Sequence, residues 1–214
     1  MIKPIAFVPD AVIEEMTLKL LADFESRFGK ITHPPVPINK IIERQLDLRI
    51  DWDEILDSEE EKILGCLDPS QKKMYMNIRH RNHFETYIGT EAYTQAHEVG
   101  HWEMHIIKTG ETQLELLPFG GPPKYLCRQD KKDSREIQAE KYAAFLLMPH
   151  HLIKLEIDGL DLLHWSALYT LKDRFGVTIT AMKNRLLGLG LIFVSPEGKI
   201  FQSREEYEGN KFMI

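Results

Sequence analysis

Thirteen residues, from Tyr93 to His105 in the sequence YTQAHEVGHWEMH, constrain this chain more than any other stretch. Between His97 and His101 they contain an H-E-x-x-H motif. On an α-helix, residues four apart lie about 40° apart around the axis, so the two imidazoles would point toward one place. Glu98 lies about 100° from the first histidine and can reach a water held there. The motif therefore predicts a helix that carries part of a metal-dependent hydrolase site.

A catalytic zinc ion usually takes three protein ligands and leaves a fourth position for water, so two histidines are not enough. Downstream, Glu136 and Glu140 place two carboxylates four residues apart on one helical face. One could bind the metal, and the other could accept a hydrogen bond from a ligating imidazole and so fix its tautomer. Without the upstream motif, a solvated helix face would be the better interpretation, since charged residues are mostly exposed.

His105 extends the histidine stripe by one more turn. Because it lies two turns from His97, we expect it to support packing or to hydrogen-bond a ligand rather than to bind metal. A donor for the developing oxyanion is also expected. Four side chains are available for that role, and the sequence does not choose among them: Tyr125, His150, His151 and His164.

Hydrophobic spacing along the rest of the chain predicts an α+β protein that is mainly helical. Helices are predicted over residues 11–28, 38–45, 90–108, 135–147, 162–175 and 181–187. The first of these has an apolar stripe formed by Val12, Met16, Leu20, Phe24 and Phe28. Strands are predicted at 48–52, 63–67, 73–78, 191–194 and 199–201. Residues 63–67 and 73–78 are predicted to form one hairpin, and residues 191–194 and 199–201 are predicted to form a second. Residues 112–135 show no clean period and predict a long functional or mobile loop.

The chain is predicted to consist of two parts. Residues 1–150 would form a small zincin-like metallopeptidase domain with a short β-sheet. Residues 151–214 have the order helix, turn, helix, hairpin, which indicates a winged helix-turn-helix-like region. This second part has 8 Lys+Arg and 8 Asp+Glu, and its candidate recognition helix carries only Lys183 and Arg185. Because phosphate binding needs clustered positive charge, we expect the region to dock a partner or pack on the peptidase rather than bind DNA.

Composition and charge indicate the cellular compartment of the protein. The 214 residues are 43% hydrophobic, enough for a substantial core, and the net charge of −6 gives no general attraction for nucleic acids or membranes. Only two cysteines occur, Cys66 and Cys127, which favours a reducing compartment. The first residues carry acids where a signal peptide needs an apolar core, and no apolar run approaches the length of a membrane span. We therefore predict a cytoplasmic protein without membrane contact, while its oligomeric state stays open.

Two stretches together resemble the signatures of the ImmA/IrrE-type metallo-endopeptidases. Residues 93–105 resemble the first signature, in which H-E, a hydrophobic residue and G-H are followed by a third histidine. Residues 136–149, EIQAEKYAAFLLMP, resemble the second signature, which ends in LLMP. Residues 175–178 and 185–192 resemble the helix-turn-helix region of these proteins. The resemblance covers roughly residues 38 to 195.

This resemblance implies a gluzincin-like endopeptidase that uses Zn²⁺, with Mn²⁺ as the alternative ion. It makes His97, His101 and Glu136 the metal ligands and Glu98 the general base. Glu140 stands where the family usually has Asn, and it would support the ligands. The substrate implied is a specific protein, a helix-turn-helix repressor cleaved in a stress response or in mobile-element regulation.

Two other functions compete with this one. The first is a DNA-binding or protein-binding transcriptional regulator with an inactive peptidase-like domain. The second is an antitoxin-like or scaffold role with a degenerate site. The intact H-E-x-x-H motif and Glu136 argue against a degenerate site.

Overall fold

A computed structural model describes residues 8–57, 62–109, 113–116 and 134–211. Within these ranges the chain is mainly helical with small sheets, which confirms the α+β class. The helices are α1 (Asp10–Phe28), α2 (Ile38–Lys40), α3 (Arg81–Thr86), α4 (Thr90–His105), α5 (Ser134–Leu147), α6 (His150–Glu156), α7 (Trp165–Phe175), α8 (Ile179–Gly188) and α9 (Arg204–Lys211). A π-helical turn (Ile41–Gln45) continues α2, and a 3-10 turn (Ile78–His80) precedes α3. The strands are β1 (Arg49–Asp53), β2 (Gly65–Asp68), β3 (Lys73–Asn77), β4 (Ile106–Thr109), β5 (Gln113–Leu116), β6 (Phe193–Val194) and β7 (Ile200–Phe201).

Helix α1 ends at Gly29 as predicted, with a φ of 101° that favours glycine. Its buried face differs from the predicted stripe. Val12 is 43% exposed and Phe28 is 42% exposed, because strict four-residue spacing drifts about 40° per step and turns the ends of the stripe away from the core. The side chains that α1 buries are Ile13, Thr17, Leu20, Leu21 and Phe24.

The first sheet has the strand order β1-β3-β2. The predicted hairpin of β2 and β3 is confirmed, and the carboxylate of Asp68 closes its turn by accepting hydrogen bonds from the backbone nitrogens of Ser70 and Gln71. Strand β1 pairs with β3 in parallel, an arrangement that the sequence pattern did not indicate. Helix α4 lies against β2 and β3.

Helix α4 ends at His105, three residues before its predicted end. The chain then enters β4, which pairs antiparallel with β5, so that Ile106 is opposite Leu116. The β-branched pair Ile106-Ile107 favours a strand over another helical turn. The prediction of an irregular loop over residues 112–135 is therefore wrong for β5, and residues 117–133 lie outside the described ranges.

Helices α4 and α5 pack closely because a glycine of the motif faces a small residue. A Cβ atom on Gly100 would lie 3.0 Å from the Ala139 Cα and 3.0 Å from the Tyr142 Cβ. Contacts this short mean that even a methyl group at position 100 would push α5 away by a few tenths of an ångström. The glycine thus lets α5 approach α4 at the level of the two histidines.

The C-terminal elements occur in the predicted order. Helix α7 ends at Gly176, the Thr178 hydroxyl accepts a hydrogen bond from the Ala181 nitrogen at the start of α8, and β6 pairs with β7. Helices α6 and α9 were not predicted. The winged helix-turn-helix itself stays a prediction. The turn between α7 and α8 also contacts α4, because a Cβ on Gly89, which precedes α4, would lie 2.6 Å from Val177 backbone atoms.

Arg185 in α8 ties the C-terminal elements to the rest of the molecule. It is almost fully buried, forms an ion pair with Glu14 of α1 and donates its Nε hydrogen to the carbonyl of Met148 at 3.0 Å. Its guanidinium also lies 4.4 Å from the ring centroid of Phe145 in α5. One buried hydrophobic cluster runs from Ile13 to Ile200 and so crosses the predicted boundary at residue 150. The two-part division stays a prediction.

None of the helices in the described ranges combines the length and the apolar character that a membrane-spanning helix requires. Placement of the protein in the cytoplasm stays a prediction.

Candidate metal centre

Helices α4 and α5 bring together the three side chains that the sequence nominated as metal ligands, His97, His101 and Glu136. One nitrogen or oxygen atom from each lies within 4.8 Å of the others. The His97 Nε2 atom is 3.0 Å from Glu136 Oε2 and 3.0 Å from the His101 Nε2 atom. The His101 Nε2 atom is 3.3 Å from Glu136 Oε1. The three groups thus converge on one small volume.

These separations can be compared with the needs of a metal ion. A tetrahedral zinc ion with bonds of about 2.0–2.2 Å separates its ligand atoms by roughly 3.3–3.6 Å. The three observed separations are equal to this value or a few tenths of an ångström shorter. Two imidazoles and one carboxylate also form a donor set that catalytic zinc uses in peptidases. The residues present therefore fit a bound metal ion, and its identity as zinc stays a prediction.

The electrostatics of the cluster favour a cation. Burial raises the pKa of Glu136, but hydrogen bonds from His101 and His97 outweigh burial and hold this pKa well below its ordinary value. Burial lowers the pKa of His97, yet its hydrogen bond to Glu136 and the charges of Glu98 and Glu140 raise it overall. The carboxylate is therefore ionised, and the negative charges around the first histidine stabilise positive charge at this place.

Glu98, the predicted general base, is buried between the motif helix and the first sheet. A Cβ on Gly65 would lie 3.6 Å from Glu98 Cγ and 2.9 Å from Thr94 Cγ2. The short contact with Thr94 favours glycine at position 65, and the glycine lets β2 lie against α4 beside Glu98. The sequence pattern alone did not assign this role to Gly65, although a glycine inside a strand is a signal for a close approach of two backbones.

His105 lies on the far side of the His101 ring. The two Nδ1 atoms are 3.0 Å apart, whereas the Nε2 atom of His101 faces the cluster. The Nε2 atom of His105 is in turn 3.1 Å from Gln138 Oε1. This places His105 where it can support a ligand rather than bind the ion, although its role stays a prediction. Gln138 was missed, because nothing in the sequence pattern separates it from an ordinary buried residue of α5.

Glu140 is exposed, and among the described hydrogen bonds its carboxylate reaches neither histidine. Its backbone carbonyl accepts a hydrogen bond from the Tyr93 hydroxyl at 3.2 Å. Burial, with a smaller contribution from the charge of Glu140, raises the pKa of Tyr93 to about 12. The influence of Glu140 on the cluster is thus electrostatic in this structure, and its predicted supporting role stays a prediction.

The candidates for an oxyanion donor find no support in the described ranges. Tyr125 lies outside them. His150, His151 and His164 are exposed, and none of the described hydrogen bonds joins them to the cluster. The choice among these side chains stays open.

A comparison with protein families indicates the class of this site. Residues 89–187 match the model of the IrrE N-terminal-like domain, Peptidase_M78. This part of the chain is similar to the Peptidase_M78 family. The match confirms the ImmA/IrrE resemblance, and it contains α4 and α5 with the whole metal cluster. A comparison with curated proteins gave no match. The Peptidase_M78 region thus indicates a metallopeptidase-like function.

Proposed function

We propose that the protein is a zinc-dependent endopeptidase that hydrolyses a peptide bond in a specific protein substrate. The observation that carries the proposal is the convergence of His97, His101 and Glu136 in a Peptidase_M78 region. The general-base candidate Glu98 follows the first of these residues directly and is buried beside β2.

Each side chain has a separate task in this reaction. His97, His101 and Glu136 hold the ion. Zinc bound there would supply Lewis acidity that polarises the scissile carbonyl and lowers the pKa of a water toward about 7. Glu98 takes one proton from the attacking water while the water oxygen bonds to the carbonyl carbon. The carbon–nitrogen bond then breaks, and Glu98 returns the proton to the departing amine nitrogen, so that a carboxyl and an amine are the products.

The substrate that we propose is a helix-turn-helix repressor, cleaved in a stress response or in mobile-element regulation. This choice rests on the ImmA/IrrE resemblance. The C-terminal helices support a role in protein contact over one in DNA contact, because Arg185 is buried and paired with Glu14. Of the two basic residues on the candidate recognition helix, only Lys183 is then available to a phosphate.

The test is to incubate the purified protein with repressors encoded beside its gene, with and without a chelator. The Glu98→Gln variant should keep stoichiometric zinc and lose cleavage by about 10²–10⁴-fold, since it can no longer take a proton. The His97→Ala variant should lose the zinc. Glu91→Gln, in the first turn of the same helix, is the matched control and should retain both properties.

Full cleavage by zinc-loaded Glu98→Gln contradicts the mechanism. A mobility shift on genomic DNA, with no cleavage of any neighbouring repressor, would favour the regulator with an inactive peptidase-like domain instead.

A further inference from the structure

The metal cluster continues into a row of buried polar side chains between α4 and α5. The Nδ1 atoms of His101 and His105 are 3.0 Å apart, and the Nε2 atom of His105 is 3.1 Å from Gln138 Oε1. The exposed fractions of the three residues are 2%, 8% and 3%. Because bulk water does not reach these contacts, the hydrogen bonds between these side chains influence which imidazole nitrogens carry the protons.

The chemistry of the last residue sets the direction of these hydrogen bonds. A neutral imidazole carries one proton, so one ring nitrogen donates and the other accepts. The amide oxygen of Gln138 can only accept, which places the His105 proton on Nε2. The Nδ1 atom of His105 then accepts, and the proton of His101 must lie on its own Nδ1.

We propose that Gln138 is a positioning residue that acts through His105 to keep the His101 proton on Nδ1. When a metal ion takes the place of the hydrogen bond from His101 Nε2 to Glu136, the lone pair of His101 Nε2 is directed at the ion. This inference rests on the proposed metal site and adds a residue outside the ligand set.

The opposite arrangement makes the proposal testable. If the amide nitrogen of Gln138 faced His105, every proton in the row would reverse, and His101 would direct an N–H at the cluster. A carboxylate at position 138 could only accept, so it would enforce the proposed direction and oppose the reverse one. The Gln138→Glu variant therefore distinguishes the two arrangements, and Gln138→Leu removes the acceptor altogether.

The first measurement is zinc affinity by competition with a chelator of known affinity. Gln138→Leu should bind zinc about 10–100-fold more weakly than the wild type, the usual effect of losing such a supporting contact. Gln138→Glu should bind zinc as the wild type does. The matched control is Gln95→Leu, which removes an equally buried glutamine of α4 whose side chain bonds to Glu91 rather than to the cluster.

The second measurement is the histidine tautomer state of the zinc-loaded protein, read from ¹⁵N chemical shifts of the imidazoles. The wild type and Gln138→Glu should show protons on His101 Nδ1 and His105 Nε2. Gln138→Leu should show His105 as a mixture of tautomers. A purely structural role for Gln138 would not give this pattern, in particular the rescue by glutamate.

Three results would overturn the proposal: wild-type zinc affinity in Gln138→Leu, loss of affinity in Gln138→Glu, or a proton on Nδ1 of His105 in the wild type. The glutamate variant keeps the test decisive if the leucine variant fails to fold. If the wild type binds no zinc, or His97→Ala binds it unchanged, the proposed metal site itself fails. Failure at Gln138 alone, with zinc held by the wild type, leaves that site intact.

Discussion

The metal cluster and the Arg185 contact are two places where helices bury charged side chains, and they are built in opposite ways. In the cluster, His97, His101 and Glu136 direct atoms that can act as metal ligands toward one another. In α8, the guanidinium of Arg185 meets its complements, the Glu14 carboxylate and a backbone carbonyl. Burial of a charged group does not identify a site. Convergence of ligand atoms on one point, together with a cation-favouring potential, does.

The two regions also show that resemblance to a family signature does not by itself identify a functional residue. Residues 93–105 and 185–192 both resemble ImmA/IrrE signatures, yet the first supplies converging ligands and the second supplies a structural contact. Arg185 holds α8 to α1 and α5, so its presence in a motif reflects assembly of the molecule. Substitutions in the metal cluster should change the stabilisation that a metal ion gives. Substitutions at Arg185 should change the stability of the metal-free protein.

The largest effect should come from the metal. Zinc at about a thousand times its dissociation constant should raise the free energy of unfolding by about 4 kcal/mol, because it binds only the folded chain. His101→Ala should remove this rise, and Arg185→Met should keep it while starting from a less stable protein. Urea unfolding with and without zinc measures all three. An equal rise in His101→Ala would place the binding site elsewhere.

Arg185→Met should lower the free energy of unfolding by about 2–3 kcal/mol, because it removes a partly buried ion pair and a buried hydrogen bond to Met148. The control is Arg204→Met in α9, whose ion pair with Glu208 is exposed to solvent and should contribute little to stability. Thermal unfolding of the two variants measures the difference. Equal losses would show that the buried contact is not a structural tie.

Gly100→Ala should cost about 1–3 kcal/mol, because the new Cβ would lie 3.0 Å from the Ala139 backbone and force α4 and α5 apart. Zinc affinity should fall as well, since Glu136 would move with α5. Gly188→Ala is the control: it changes a helical glycine with nothing within 4 Å of its Cβ and should raise stability by up to about 1 kcal/mol. Wild-type zinc affinity in Gly100→Ala would show that zinc binding does not depend on the spacing of α4 and α5.

The smallest effect should come from Tyr142, which is fully buried and whose hydroxyl has no hydrogen-bond partner among the described residues. Tyr142→Phe should leave the free energy of unfolding unchanged or raise it by up to about 1 kcal/mol, since an unsatisfied buried hydroxyl is costly. Tyr93→Phe removes a hydroxyl that bonds to the Glu140 carbonyl and should lower stability by about 0.5–1 kcal/mol. A larger loss in Tyr142→Phe than in Tyr93→Phe would contradict this assignment.

Most residues of the candidate site could be predicted, because the short spacing of histidines along one helix indicates metal binding. The four-residue interval between His97 and His101 fixes their common direction on any helix, and Glu136 was nominated by the type of donor still missing. Gln138 could not be found in this way. Its partner His105 lies on another helix, and only the packing of α4 on α5 brings the two side chains together.

In the fold, as in the site, features set by neighbouring residues were predicted, and features set by distant segments were not. The glycine that ends α1 and the hairpin of β2 and β3 follow from local preferences, and they were predicted. The parallel pairing of β1 with β3 and the burial of Arg185 depend on segments far apart in the chain, for which one sequence carries no signal. The end of α4 was misplaced because pairing with β5 competes with helix continuation after His105.

The ion pair between Glu14 and Arg185 joins positions 171 residues apart. At a synthesis rate of about 5–20 residues per second, α1 would wait roughly 9–34 s on the ribosome before its partner is made. During that interval Glu14 of α1 lacks Arg185, and the start of α4 lacks the Val177 turn that lies against Gly89. We therefore expect chains stalled before residue 177 to be digested by protease more readily than chains that contain α8 and its contact with Glu14.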